Sequence, residues 1–186
     1  RYGPQFWWPG NGAFEVIIGA ILTQSASWSG AEKALNNLKD KGFLHPAALR
    51  AISQGELSAL IRPSIYFNVK ARKVKAFVQY MGDLYNDDLD TFFSKDVCTL
   101  RQEILSIYGI GEETADDILL YAVGLPFFVI DSYTKRIFSR LGIAPEKGSY
   151  SLYQSMFMSN LDHNVDLMKE YHALIVRHAS KVCRTI

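Results

Sequence analysis

The chain has 186 residues, 48% of them hydrophobic and 13% aromatic, with a formal net charge of +1 at pH 7. That composition excludes a disordered polyelectrolyte and suits one substantial core or two small lobes. The near-neutral balance argues against a sequence-indifferent polycation but leaves DNA binding through clustered charge open. No apolar run reaches membrane-spanning length, and the chain opens on Arg1 without a signal-peptide pattern, as a trimmed fragment would. Cys98 and Cys183 make no disulfide framework, so a reducing, cytoplasmic setting is expected, nucleoid-associated in a bacterium or archaeon.

Residues 1–12 read as an aromatic loop, with Tyr2, Phe6, Trp7 and Trp8 among the breakers Pro4, Pro9, Gly10 and Gly12. The two tryptophans either lid the core or line a cleft. Residues 13–24 are apolar nearly all round, which predicts a central buried helix ending at Thr23 and Gln24. Gln24 is then a polar helix terminus or a wedge. Residues 27–38 predict an amphipathic helix with Trp28, Ala31, Leu35 and Leu38 inward. Two short helices follow at 45–52 and 57–61, then a turn at 62–65. A long helix is expected over 67–84, with Val74, Phe77, Val78, Met81 and Leu84 inward. Its outer face carries Lys70, Arg72, Lys73 and Lys75, a solvated face or a set of phosphate contacts.

The next stretch carries the strongest signal. Val97, Leu100, Ile104, Leu105 and Tyr108 have helical spacing, as do Ala115, Ile118, Leu119 and Ala122. Between them lie Gly109, Ile110 and Gly111, which predicts helix, tight hairpin, helix over about 97–122. The second helix starts near Gly111 with unpartnered amides, a place for a phosphate. Glu112 and Glu113 suit a first helical turn but weaken its attraction for an anion. An apolar run, residues 125–130, then delivers Asp131 at a helix start, with Ile137, Phe138 and Leu141 on the following face. Asp131 is an N-cap or a carboxylate with a chemical task. Two further helices are expected near 150–158 and 164–184. His172, His178 and Cys183 lack a zinc spacing. With no strand in view the fold class is all-α.

The hairpin and the segment Val129, Ile130, Asp131 resemble the helix-hairpin-helix DNA glycosylases of the endonuclease III type. The run from Gly19 to Gln24 is similar to the family's segment with a duplex-inserting Gln, and Phe67 to Ala71 to its helix start with Asn and Lys. Phe6, Trp7, Trp8 and Pro9 resemble the branch that removes 3-methyladenine, as does the pattern from Gly111 to Asp116. The resemblance implies a two-lobed fold with the active site in the cleft between lobes. Residues 1–22 plus 132–186 would form a terminal-helix lobe, and 23–131 a six-helix bundle containing the hairpin.

It also implies roles. Such an enzyme flips a damaged base out of duplex DNA, its partner here, and cleaves the N-glycosidic bond. Asp131 would be the catalytic carboxylate, stabilising oxocarbenium character on the sugar and orienting or deprotonating a water. Trp7, Trp8 and Trp28 would bind the base, and Gln24 would fill the gap. Gly109, Gly111, Glu112, Thr114 and Lys70 would hold the DNA backbone. Bifunctional relatives carry a nucleophilic lysine two residues after the second hairpin glycine; here that residue is Glu113, which cannot do amine chemistry. A monofunctional, monomeric glycosylase for alkylated purines such as 3-methyladenine is therefore expected. The alternatives are an endonuclease III-like specificity for oxidised, deaminated or mismatched bases, and a non-catalytic DNA-binding module. No metal or cofactor is expected in this chain. Cys183, five residues after His178, would open a [4Fe–4S] site only if the natural protein continues, since the cluster needs four thiolates. Hairpin carbonyls would suit a monovalent cation.

Overall fold

The computed structural model describes residues 1–184 as helices and connections, with no strand among the described residues. Side-chain caps mark most helix starts. Ser27 caps α2 (Trp28–Asp40), His45 caps α3 (Pro46–Ala51) and Ser53 caps α4 (Gln54–Leu60). Asp88 caps α6 (Leu89–Phe93) and Asp96 caps α7 (Val97–Ser106). Asp131, Ser149 and Asn164 do the same for α9 (Ser132–Arg140), α10 (Tyr150–Asn160) and α11 (Val165–Lys181). Each accepts a backbone N–H that the helix leaves without a partner. Three helices start without a side-chain cap: α1 (Ala13–Thr23), α5 (Phe67–Tyr85) and α8 (Glu112–Asp117).

The chain divides into two compact units, Gly10–Ile118 and Arg1–Pro9 with the chain from Leu119 onward. Both boundaries differ from those expected from sequence, for packing reasons. Every residue of α1 from Glu15 to Leu22 is buried, and α1 packs on α2, α5 and α8, so it belongs to the first unit. At the other end Phe128, Val129 and Ile130 are buried, and the Phe128 ring stacks on Phe157 of α10 at 4.0 Å. That stack ties the segment before Asp131 to the C-terminal helices. The first unit also holds more helices than the six expected, α1 to α8 with a 3-10 turn at Arg62–Ser64.

Within the first unit, α3 and α4 pack on α5, whose inward face is Lys70, Ala71, Val74, Phe77, Val78 and Met81. Leu84, expected inward, is 61% exposed, because the last turn of α5 runs past that core. In the second unit the chain enters by a π-helical turn, Ile118–Val123, that continues α8. Ile118, Leu119 and Leu120 are fully buried in succession and Tyr121 nearly so. A wider turn of this kind re-aims side chains and recurs at functional sites. None of the described helices is long and apolar enough to cross a membrane.

Candidate functional site

The hairpin of the first unit joins α7 to α8 through Ile107–Gly111. Gly109 has φ +83°, and a Cβ there would lie 2.4 Å from Lys73 Cγ, so both conformation and close approach call for glycine. Gly111 is extended and exposed, with nothing within 4 Å of where a Cβ would point. It opens α8 with Glu112 and Glu113, both exposed. Thr114, expected at the DNA backbone, is instead 5% exposed and faces inward. Its hydroxyl accepts a 2.8 Å hydrogen bond from Gln24 Nε2, which also donates to the Gly109 carbonyl at 3.1 Å. Lys73 Nζ donates to Gln24 Oε1. Gln24 is thus fastened by two bonds to the hairpin and by one to α5, joining the end of α1 to the turn.

Lys70 is a second correction. Expected on an outer, phosphate-facing surface, it is 2% exposed. Its Nζ donates to the carbonyls of Leu22 at 2.7 Å and Ser64 at 2.5 Å. Leu22 lies in the last turn of α1, where carbonyls lack helix partners and a cation is favoured. Lys75 does the same for Arg50 and Ile52 at the end of α3. Three of the four cations on this face therefore tie the unit together, and the exposed Arg72 lies over the Tyr108 ring at 5.1 Å.

Burial, with repulsion from Lys73 second, lowers the Lys70 pKa from 10.5 to about 8. Below about 8 native and unfolded chains both carry the proton. Between about 8 and 10.5 only the unfolded chain does, so stability from this group rises with pH. Lys70→Met should cost about 1–3 kcal/mol by stranding two carbonyls. The deficit should widen from pH 8 to pH 10 in denaturant unfolding of the two proteins side by side. A deficit independent of pH would contradict this account.

The loop that Lys70 ties down carries a further feature. Ile65 and Tyr66 are adjacent, non-glycine and exposed, with φ of +50° and +46°. Left-handed backbone at two such residues is strained and marks a site held in place by its surroundings. In sequence this stretch reads only as a turn, because neither residue type signals positive φ.

The second unit holds Asp131. It is 8% exposed, caps α9, and its Oδ1 accepts the Thr134 amide at 2.7 Å. His172 Nε2 lies 3.6 Å from its Oδ2. Burial pushes the carboxyl pKa up, but the His172 contact and the Thr134 hydrogen bonds outweigh it and hold the pKa below the usual value. Asp131 is therefore a buried anion at neutral pH. His172 and Tyr121 are joined by a 2.7 Å contact from the Tyr121 hydroxyl to Nδ1; the sequence raises His172 only as a metal ligand and gives Tyr121 no role. Only the fold brings residues 121, 131 and 172 together.

The Trp8 ring lies 5.4 Å from Tyr121 and 5.3 Å from Trp7. Both tryptophans are half-buried; Trp28, equally half-buried, belongs to the other unit as the first residue of α2. A groove of about 880 Å³ in the second unit is lined by Tyr2, Phe6, Trp7, Phe138, Leu174 and His178, and does not reach Asp131. Cys183 Sγ accepts from Arg140 at 3.2 Å. Cys98 and Cys183 lie on different units, and two thiols do not fit a [4Fe–4S] cluster. No metal-holding cluster of His, Cys, Asp and Glu occurs among the described residues. The carbonyls of Ile107 and Gly109 accept from the Ile110 amide and from Gln24, and each oxygen keeps a second lone pair.

Sequence and structure comparisons place the chain in a family. The profile of the HhH-GPD superfamily of base excision DNA repair proteins matches residues 18–162. A Methanocaldococcus jannaschii protein with the provisional name DNA repair glycosylase is 45% identical over 184 residues, covering 98% of this chain and 84% of its own. An endonuclease III of Sulfolobus acidocaldarius is 28% identical, over 92% of this chain and 74% of its own. Among solved structures, an H. pylori 3-methyladenine DNA glycosylase bound to 1,N6-ethenoadenine superposes with a TM-score of 0.81 at 25% identity. That match covers 97% of this chain and 90% of the other. A non-covalent endonuclease III–DNA complex shares the fold, with a TM-score of 0.84 at 21% identity, covering 98% and 80%. The chain belongs to the HhH-GPD superfamily of base excision DNA repair proteins, as a DNA glycosylase.

Proposed function

We propose that the chain is a monofunctional glycosylase that flips an alkylated purine, such as 3-methyladenine, from duplex DNA and hydrolyses its N-glycosidic bond. The observation that carries the reading is Asp131, a buried anion in the same unit as the Trp7–Trp8 pair. A fixed carboxylate out of bulk water stabilises an oxocarbenium-like sugar strongly and aims the attacking water. A cationic alkylpurine is a good leaving group and stacks on electron-rich indoles through a cation–π interaction. The H. pylori relative, a 3-methyladenine enzyme with an ethenoadenine bound, supports that substrate class. Glu113, exposed on the first turn of α8, offers no amine where bifunctional relatives have one.

The remaining roles follow. Trp28, in the first unit, also binds the base. The amides at Gly111 and Glu112 hold a backbone phosphate, and Gly109 shapes the turn. Gln24 fills the vacated space after leaving its hairpin partners, and the exposed Ile65 and Tyr66 press on the duplex as apolar wedges. The enzyme acts as a monomer, in the cytoplasm or on the nucleoid. An endonuclease III-like specificity is the second reading, favoured by the Sulfolobus relative.

The test is base release from duplexes carrying 3-methyladenine, uracil or oxidised pyrimidines, with strand nicking scored in the same samples. Release of the alkylated base without nicking is expected. Faster release of uracil would remove the alkylpurine reading, and nicking without added alkali would remove the monofunctional one.

A further inference from the structure

A buried side chain from another segment of the second unit faces Asp131, and a second one backs it. His172 lies in α11 and Tyr121 in the π-helical turn. The imidazole meets a hydroxyl on one nitrogen and a carboxylate on the other, at 2.7 and 3.6 Å. That leaves few ways to place its proton. With the proton on Nδ1, the Nε2 lone pair would face an anion. With the proton on Nε2, that N–H points at Asp131 and Nδ1 accepts the Tyr121 hydroxyl proton. In the imidazolium both nitrogens donate, and the Tyr121 hydroxyl turns to the Lys169 carbonyl, 3.4 Å away. In both favourable forms an N–H faces Asp131. The ring contact with Trp8 helps fix Tyr121.

We propose that His172, held with its proton on Nε2 by the Tyr121 hydroxyl, is a positioning residue for Asp131. Oδ1 is committed to the α9 cap. Oδ2 faces the imidazole N–H at 3.6 Å, longer than a hydrogen bond, and so keeps a lone pair for a water or the sugar. His172 supports the anion and its orientation without consuming that lone pair. Tyr121 acts one step further out, as a partner that sets the tautomer. This inference rests on the reading of Asp131 as the reacting carboxylate.

Long-range 1H–15N correlation spectra of the labelled full chain read the tautomer directly. A His172 proton on Nε2 is expected, with Tyr121→Phe shifting the ring toward a mixture of tautomers. In single-turnover base release, His172→Leu should be about ten- to a hundredfold slower, with DNA affinity unchanged. His172→Gln, which keeps an N–H, should recover most of that loss. A proton on Nδ1 in the wild type, or Leu and Gln variants equal in rate, would overturn the inference. Should His172→Leu fail to fold, the tautomer spectra and Tyr121→Phe carry the test. Asp131→Asn in the same assay separates the two claims. Full activity there removes the carboxylate reading itself, whereas an inactive Asp131→Asn beside a fully active His172→Leu removes only His172.

Discussion

Asp131→Asn should slow base release by about a hundred- to ten-thousandfold while leaving the fold and the DNA affinity nearly intact. The separation arises because the cap that Asp131 forms and the catalytic role proposed for it make different chemical demands. As the cap of α9 it needs only an oxygen acceptor for the Thr134 amide, 2.7 Å away. Asparagine serves as well there as aspartate. In the proposed role as the reacting group it needs a negative charge, which asparagine lacks. The folded pKa lies below the ordinary carboxylate value, because the His172 and Thr134 contacts outweigh burial. A carboxylate with a depressed folded pKa contributes stability above its unfolded pKa and loses it as pH falls through the folded one. The wild type should therefore lose more stability than Asp131→Asn below pH 4, and its base release should fall on the acid side only below the usual carboxylate range. The measurements are single-turnover release with excess enzyme, fluorescence anisotropy on the same duplex, and urea unfolding at pH 7 and pH 3.5. Wild-type release by the variant would take Asp131 out of the reaction.

What the sequence makes legible is what local rules govern. The cap Asp131 announces its helix, because a short polar side chain before an apolar-periodic run has one common use. Gly109 and Gly111 mark the hairpin in the same way, although only Gly109 needs positive φ. The illegible part depends on which helix a residue meets. Lys70, Lys73 and Lys75 read as a solvated stripe or phosphate contacts on α5, yet the ends of α1 and α3 arrive there with carbonyls that draw in Lys70 and Lys75, and the Gln24 side chain takes Lys73. Thr114 and Gln24 each read as sites for DNA, and the fold joins the two side chains by a hydrogen bond that neither one announces in sequence. His172 has no local signal, since a single histidine on an apolar helix face is ordinary. Its meaning comes from Asp131, 41 positions earlier in the chain, at 3.6 Å.

Arg101→Met should cost about 3–5 kcal/mol of stability, more than Asp116→Leu at the same ion pair. Arg101 of α7 grips Asp116 of α8 with two bonds, Nε to Oδ1 at 2.7 Å and Nη2 to Oδ2 at 3.1 Å, so the pair staples the two arms of the hairpin. Burial is unequal: the Asp116 side chain has no exposure, whereas Arg101 keeps 23%. Deleting the arginine leaves a carboxylate in the interior deprived of its bidentate partner, and the desolvation penalty already incurred is no longer offset. Deleting the aspartate leaves a guanidinium that can turn to water from where it is. The double variant Arg101→Met with Asp116→Leu should then recover much of the loss, because neither charge of the pair is left behind without the other. Denaturant unfolding of the four proteins reads the cycle. Equal costs for the two single variants would mean that burial does not set the energetics of the pair. The same cycle bears on DNA. If the staple holds Gly111 and the start of α8 in place, affinity for undamaged duplex should fall with Arg101→Met and return in the double variant. Loss of affinity that persists in the double variant would make Arg101 itself a DNA contact.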